Sequence, residues 1–284
     1  MSVTIPQAAP GPVVPRRTQV RRRRRVGRVV LPAYSFLVIL YTMVPIGVMI
    51  AYGFNQAPSG RLTFAWQGFT TQWYQQVFDI PDLTAALEHS LELAFSSTAI
   101  SLVLGTPLAL ALARHRWRGR SAMDATIFLD IAAPSVVVGA SLLSFFISLN
   151  IPRGLVTILI AHVAFNVAFV TVVVRARVVG LDRALDRAAA DLGATPWTAF
   201  WKVTFPLILP GIVAGALLAF AMSIDDFIIT DFVAGQTVTF PLWVYGAVKV
   251  GIPPQVFVMG TLIFVGGIIL AVINAVFQRR TAIA

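Results

Sequence analysis

Leu181–Pro210 reads LDRALDRAAADLGATPWTAFWKVTFPLILP, the longest polar stretch inside an otherwise apolar chain. Leu181, Leu185, Ala188, Ala189 and Leu192 recur at helical spacing and form one apolar stripe. Asp182, Arg183, Asp186 and Arg187 lie largely off it. Only Arg183 and Asp186 are spaced to pair locally, because Asp182/Asp186 and Arg183/Arg187 are like-charge neighbours one turn apart. Gly193 suits the left-handed residue that ends a helix. Thr195-Pro196 then reads as an N-cap followed by a first helical residue. The second helix carries Trp197, Phe200 and Trp201 as an aromatic surface, and Pro206 and Pro210 open an apolar run. The stretch is therefore a helix–turn–helix elbow. An amphipathic segment lying flat on a membrane is the competing reading of the same pattern.

The flanks decide the class. Apolar runs recur at about residues 29–54, 86–113, 125–149, 155–174, 207–229 and 256–277. Each holds roughly the 20 residues needed to cross a hydrocarbon core of about 30 Å. They are continuous rather than alternating, which selects helices over a barrel. With 57% hydrophobic and only 12% charged residues, the sequence predicts an all-α polytopic membrane protein of six transmembrane helices. The elbow falls between the fourth and fifth. The chain has no cysteine, which excludes disulfides, thiolate nucleophiles and Cys-ligated metals. His89, His115 and His162 are too scattered for a metal site. No G-x-x-x-x-G-K-[ST] loop and no nucleophile–base set occurs, so no ATPase or other enzyme activity and no cofactor is expected in this chain.

Three regions follow. Residues 1–28 form a Pro- and Arg-rich tail expected to be disordered. Residues 29–85 hold the first span, kinked at Pro45, and an outer loop with Trp66, Trp73 and Tyr74 around a short helix near 72–78. Residues 86–280 form the core that contains the elbow at 181–206. All Lys and Arg residues except Arg61, Arg153 and Lys249 fall in the two ends, the 114–120 loop and the elbow. Basic residues mark the cytosolic face, so both termini and the elbow are expected there. The Arg21–Arg25 run reads as a topology signal that also meets anionic lipid. Nucleic-acid binding is not expected, since no aromatic residue is interleaved before Tyr34. The first span lacks a small-x-small cleavage site and reads as uncleaved.

Arg187-Ala188-Ala189, Gly193 and Val203-Thr204-Phe205-Pro206 carry a resemblance. Their order and spacing resemble the coupling loop of binding-protein-dependent ABC importer permeases of type I. That family's pattern is Glu-Ala-Ala, three residues, Gly, nine residues, then Ile-x-Leu-Pro. The resemblance extends from about residue 86 to 277. It implies that Arg187, Ala188, Ala189, Gly193, Trp197, Trp201 and Pro206 dock onto a cytosolic ATPase subunit. Arg187 stands where the family has glutamate, so its contact must differ. The implied partners are a dimer of ABC ATPase subunits that bind ATP and Mg, a second homologous permease subunit and an extracytoplasmic solute-binding protein. The implied location is a bacterial inner membrane.

A narrower resemblance concerns cargo. Ser223-Ile224-Asp225-Asp226-Phe227, Phe240–Tyr245, Val248–Pro254 and Thr71-Gln72-Trp73-Tyr74 resemble the second permease subunit of spermidine/putrescine importers. Permeases for ferric iron and phosphonates share part of these motifs. Asp225 and Asp226 lie about 28 Å along the fifth span from Pro206. A lipid-facing carboxylate costs about 2.5 kcal/mol or more near the membrane centre, so at least one must face a cavity or a partner. They read either as a way-station for a polyammonium cargo or as hydrogen-bonding groups at a helix end. Asp231, and Glu88 with Glu92, are candidates for a negative outer vestibule, although a glutamate near a helix start also gains from the dipole. Asp124 reads as a dipole partner at the start of the third span, and His162/Asn166 as helix-to-helix hydrogen bonding.

Two rival functions remain. An ion-driven secondary transporter would work as a single chain, but no inverted repeat is visible. A membrane anchor that presents its basic tail would not depend on Gly193.

Overall fold

The computed structural model describes residues 20–62, 65–182 and 184–281, with side chains from 30 to 276 inside those ranges. Arg183 and the tail before residue 20 lie outside the described residues. The chain divides into two units, Met1–Ala51 and Tyr52–Ala284. The first holds nearly all of α1 (Val20–Tyr52), with Pro32 and Pro45 inside it. The helix takes in the Arg21–Arg25 run that the sequence assigns to a disordered tail; arginine is a good helix former.

The second unit contains α2 (Gln72–Gln75), α3 (Pro81–Arg114), α4 (Arg120–Ala132), α5 (Ser135–Ser148) and α6 (Leu155–Val179). The elbow follows as α7 (Ala184–Asp191) and α8 (Pro196–Ala199). A π-helical turn, Phe200–Thr204, joins α8 to α9 (Phe205–Ile224). Then come α10 (Ile228–Val233), α11 (Phe240–Val250) and α12 (Pro254–Thr281). The only β pairing among the described residues is an isolated bridge, Asn55 to Phe69.

Small residues bring α3, α6 and α9 together. On α9 the buried positions include Gly211, Gly215, Ala219 and Ser223, one every four residues. On α3, Ser90, Ala94, Ser97, Ser101, Gly105 and Ala109 line one buried face. Such small-residue stripes let helix backbones approach closely where no water drives association. A Cβ added at Gly105 would lie 2.8 Å from Val170 Cγ1, and one at Gly211 would lie 2.7 Å from Arg177 Cβ. The buried valines of α6, Val170, Val174 and Val178, fill the space against Ala109, Ile208 and Ala219.

Five helices are long and apolar enough to cross a membrane, or six if α4 and α5 are one broken span. The sequence predicts that span as continuous over 125–149. Instead α4 and α5 meet at 108°. Pro134 disfavours helical geometry in the residue before it, and Ala133 is extended, with φ −70° and ψ 133°. The fifth span also ends earlier than its hydropathy suggests, at Ile224 rather than 229. The expected loop after it contains α10 and α11, because Pro241 fits the first turn of a helix. The outer loop is packed down through Trp73, whose Nε1 donates to the Asn55 carbonyl at 2.8 Å. Trp73 and Val77 join Leu83, Val258 and Met259 in one cluster.

Candidate functional site

The elbow is built as the sequence suggests. Asp182 accepts from the Ala184 backbone N–H at 2.8 Å and starts α7. Gly193 takes φ 81°, the Ala194 N–H reaches the Ala189 carbonyl at 3.0 Å, and the Gly193 N–H reaches Ala190 at 2.9 Å. This pair of bonds is the Schellman ending of a helix. Thr195 caps α8, its Oγ1 accepting from the Thr198 N–H at 3.3 Å, and Pro196 is the first helical residue.

What ties the elbow to the spans was not visible in the sequence. Asp186 pairs with Arg114 at the end of α3, at 2.8 Å, and accepts from Thr204 Oγ1 at 3.0 Å. The Arg183–Asp186 spacing falls on a residue outside those described; among the described residues the partners of Asp186 lie on other elements. Arg177 of α6 donates through Nε to the Leu207 carbonyl at 3.0 Å. Asp124 does not serve the start of α4: it lies in the second turn and pairs with Arg175 and Arg120. A cleft of about 710 Å³ between α3 and the elbow is lined by Arg114, His115, Asp186, Arg187, Ala190 and Phe200, among others.

The elbow's outward face has no cover among the described residues. Of the apolar stripe, Ala189 is buried, whereas Leu185 is exposed and Leu192 is 88% exposed. Arg187, Ala188, Gly193 and Pro206 are exposed too. Trp197 is 71% exposed and stacks edge-on against Trp201, with ring centroids 5.7 Å apart. Phe200 and Phe205 extend the aromatic group toward α9. The aromatic surface is thus braced from behind and open in front.

The second candidate region is the break between α9 and α10. Asp225 and Asp226 sit in that break, not within a span. Asp225 is exposed. Asp226 is held: its Oδ2 accepts from the Thr230 N–H at 2.8 Å and from Thr230 Oγ1 at 2.7 Å. His162 Nε2 lies 3.4 Å from the same oxygen. The two aspartates, equivalent in the sequence, occupy different environments. Asp231 lies on α10, and Glu88 with Glu92 on α3; all three are exposed. Among the described residues no hydrogen bond or ion pair joins these three to Asp225. Asn166 donates to the Ala219 carbonyl of α9 at 3.3 Å, and His162 bonds to residues of α9 and α10. Ser223, Thr230 and Ser97 complete this network; polar side chains inside apolar runs are its signal in the sequence. Among the described residues no cluster of His, Cys, Asp and Glu could hold a metal ion.

The profile of the family described as "Binding-protein-dependent transport system inner membrane component" matches residues 101–283. The spermidine/putrescine transport system permease protein PotC of Haemophilus influenzae is 34% identical over 249 residues, covering 87% of this chain and 96% of that protein. The putrescine transport system permease protein PotI of Escherichia coli K12 is 37% identical over 227 residues, covering 77% of this chain and 80% of that protein. The fold resembles a subunit of a bacterial ABC transporter involved in the import of the acidic polysaccharide alginate, with a TM-score of 0.64, 18% identity, and coverage of 95% and 99%. It also resembles a chain of the MetNI methionine ABC transporter in an inward-facing conformation, with a TM-score of 0.55, 19% identity, and coverage of 70% and 94%. With an exposed elbow after its α6 span and a family profile that matches most of the chain, this protein belongs to the binding-protein-dependent transport system inner membrane components.

Proposed function

We propose that the chain is the second permease subunit of an ATP-driven importer of polyamines such as spermidine and putrescine. The observation that carries this is the elbow: an exposed Leu192 and Trp197 on a turn clamped from behind by the Arg114–Asp186 pair. A surface that is both apolar and rigidly backed suits a partner that pushes. ATP and Mg belong to a pair of ATPase subunits docked there, at Arg187, Ala188, Ala189, Gly193, Trp197, Trp201 and Pro206. A sister permease forms the other wall of the path, and an external solute-binding protein delivers cargo. Both termini and the elbow face the cytosol of a bacterial inner membrane, as the basic residues dictate. ATP-driven closure of the ATPase pair moves the elbows and opens the path outward. Asp225 and Asp226 lie on that path, where carboxylates pair with the ammonium groups of the cargo. The polyamine assignment draws on the named relatives and on this aspartate pair.

The test is reconstitution of the four-part complex in proteoliposomes with ATP inside. Uptake of labelled spermidine is expected only when binding protein is outside and ATP inside. Because the chain has no cysteine, a lone cysteine at Leu192 gives a single thiol for crosslinking. It should capture the ATPase subunit. Uptake by this chain alone, without ATPase, would overturn the reading; uptake of ferric iron or a phosphonate in place of spermidine would overturn the cargo.

A further inference from the structure

His162 stands at the centre of a line of side chains that joins four helices. Its Nδ1 lies 2.7 Å from Ser223 Oγ of α9, and its Nε2 lies 2.9 Å from Thr230 Oγ1 of α10. Ser97 Oγ of α3 donates to Ser223 Oγ at 3.0 Å. The imidazole is 4% exposed, the Asp226 side chain 17%.

Counting hydrogens gives each bond a direction. Thr230 Oγ1 has one hydrogen, and it goes to Asp226. Toward His162 it can only accept, so Nε2 carries a hydrogen. Ser97 gives its hydrogen to Ser223, and in the neutral ring with Nε2 protonated Nδ1 accepts, so the Ser223 hydrogen points to it. The bonds therefore run one way, from Ser97 through Ser223 and His162 to the Thr230–Asp226 pair. Two donors converge on Asp226 Oδ2, the Thr230 N–H and the Thr230 hydroxyl, and His162 Nε2, 3.4 Å from the same oxygen, holds Thr230 Oγ1 in place. A carboxylate held this way is fixed in place. Its sequence neighbour Asp225 stays exposed.

We propose that His162 is a positioning residue for transport, which pins Asp226 across the break between α9 and α10 and so fixes where Asp225 is presented to a cationic cargo. This rests on the reading above that the aspartates lie on the cargo path. The two carboxylates then divide the work: Asp226 anchors the break, and Asp225 remains available to an ammonium group. His162 acts on the cargo only through Thr230 and Asp226.

The experiment uses the full complex in proteoliposomes with labelled spermidine as the probe. His162→Ala should lower initial uptake about tenfold, as expected for loss of the buried hydrogen bond that holds Thr230 against Asp226, with normal recovery of the complex. His162→Gln should restore most of the rate, because its amide keeps a donor in reach of Thr230 Oγ1, the hydroxyl that holds Asp226. The double variant His162→Ala/Asp226→Asn should lose no more than the worse single variant, since both break one linkage. Uptake at the unmodified rate in His162→Ala, or losses that multiply in the double variant, would overturn the positioning role. If His162→Ala assembles poorly, His162→Gln is compared with His162→Leu, which fills similar space without a donor; equal rates in these two overturn it as well. Asp225→Asn separates the two levels. Impaired Asp225→Asn with intact His162→Ala removes only the positioning role, whereas Asp225→Asn at full rate removes the aspartates from the path itself.

Discussion

Arg114 Nη1 and Asp186 Oδ2 stand 2.8 Å apart, which ties the C-terminal end of α3 to the first turn of α7. Asp186 also takes the Thr204 hydroxyl, so one carboxylate links a span, the elbow and the π-helical turn. The pair is about one-quarter to one-third exposed, and its direct electrostatic worth is about 1 kcal/mol or less. Its importance is geometric. Asp186→Ala is expected to lower uptake several-fold while ATP hydrolysis by the complex continues, an uncoupled state read by measuring both rates together. Exchange of the charges, Arg114→Asp with Asp186→Arg, should recover part of the uptake. Loss of hydrolysis in step with uptake would argue against uncoupling.

Gly193 has φ 81°, and a Cβ placed there would meet nothing within 4 Å. The cost of Gly193→Ala is therefore backbone strain alone, about 1 kcal/mol, and Gly193→Asn should cost less. Hydrogen exchange over 184–199 checks this: faster exchange is expected in the order Asn, then Ala. A steric explanation would predict the reverse dependence on side-chain size, with Asn worse.

Gly105 tests the close approach of α3 to α6. A Cβ there meets Val170 Cγ1 at 2.8 Å and the Val167 carbonyl at 3.2 Å, and the backbone oxygen cannot turn aside. Gly105→Ala should destabilise by about 1–3 kcal/mol through overpacking. Gly266→Ala on α12 is the control, since nothing lies within 4 Å of its added methyl. Thermal unfolding in detergent should show a lower Tm for the first and no loss for the second.

Leu192 separates stability from docking. At 88% exposure it contributes little to the isolated chain, and Leu192→Ser should change stability by about 0.5 kcal/mol or less. Co-purification of the ATPase subunit should nevertheless fall. Equal recovery of ATPase with both chains would show that the elbow tip does not touch the partner.

The sequence carries local features well. Gly193, Thr195 and Pro196 announce a turn because each acts on its own backbone within a few residues. The spans announce themselves by length and composition. Pairings between distant residues do not. Asp186 finds Arg114 from 72 positions away, and Asp226 finds His162 from 64. Asp225 and Asp226 look alike in a linear chain because only the break after Ile224 turns one inward and leaves the other out. The bend at Pro134 was hidden for another reason: hydropathy averages over Ala133 and Pro134 and does not register one extended residue.

The π-helical turn at Phe200–Thr204 leaves no joint between α8 and α9, so helix runs unbroken over 29 residues from Pro196 to Ile224. That is a shaft about 43 Å long at 1.5 Å per residue. A π turn holds one residue more than an α turn would, and deleting any one residue from 200–204 would let it rewind. The rewound shaft would keep Trp197 close to its present angle, whereas an α-helix forced to hold all five residues would rotate it by about 100° against the Gly211–Ser223 stripe. The angular phase between the exposed Trp197 face and the buried Gly211–Ser223 stripe is therefore kept by the one turn that takes up a surplus amino acid.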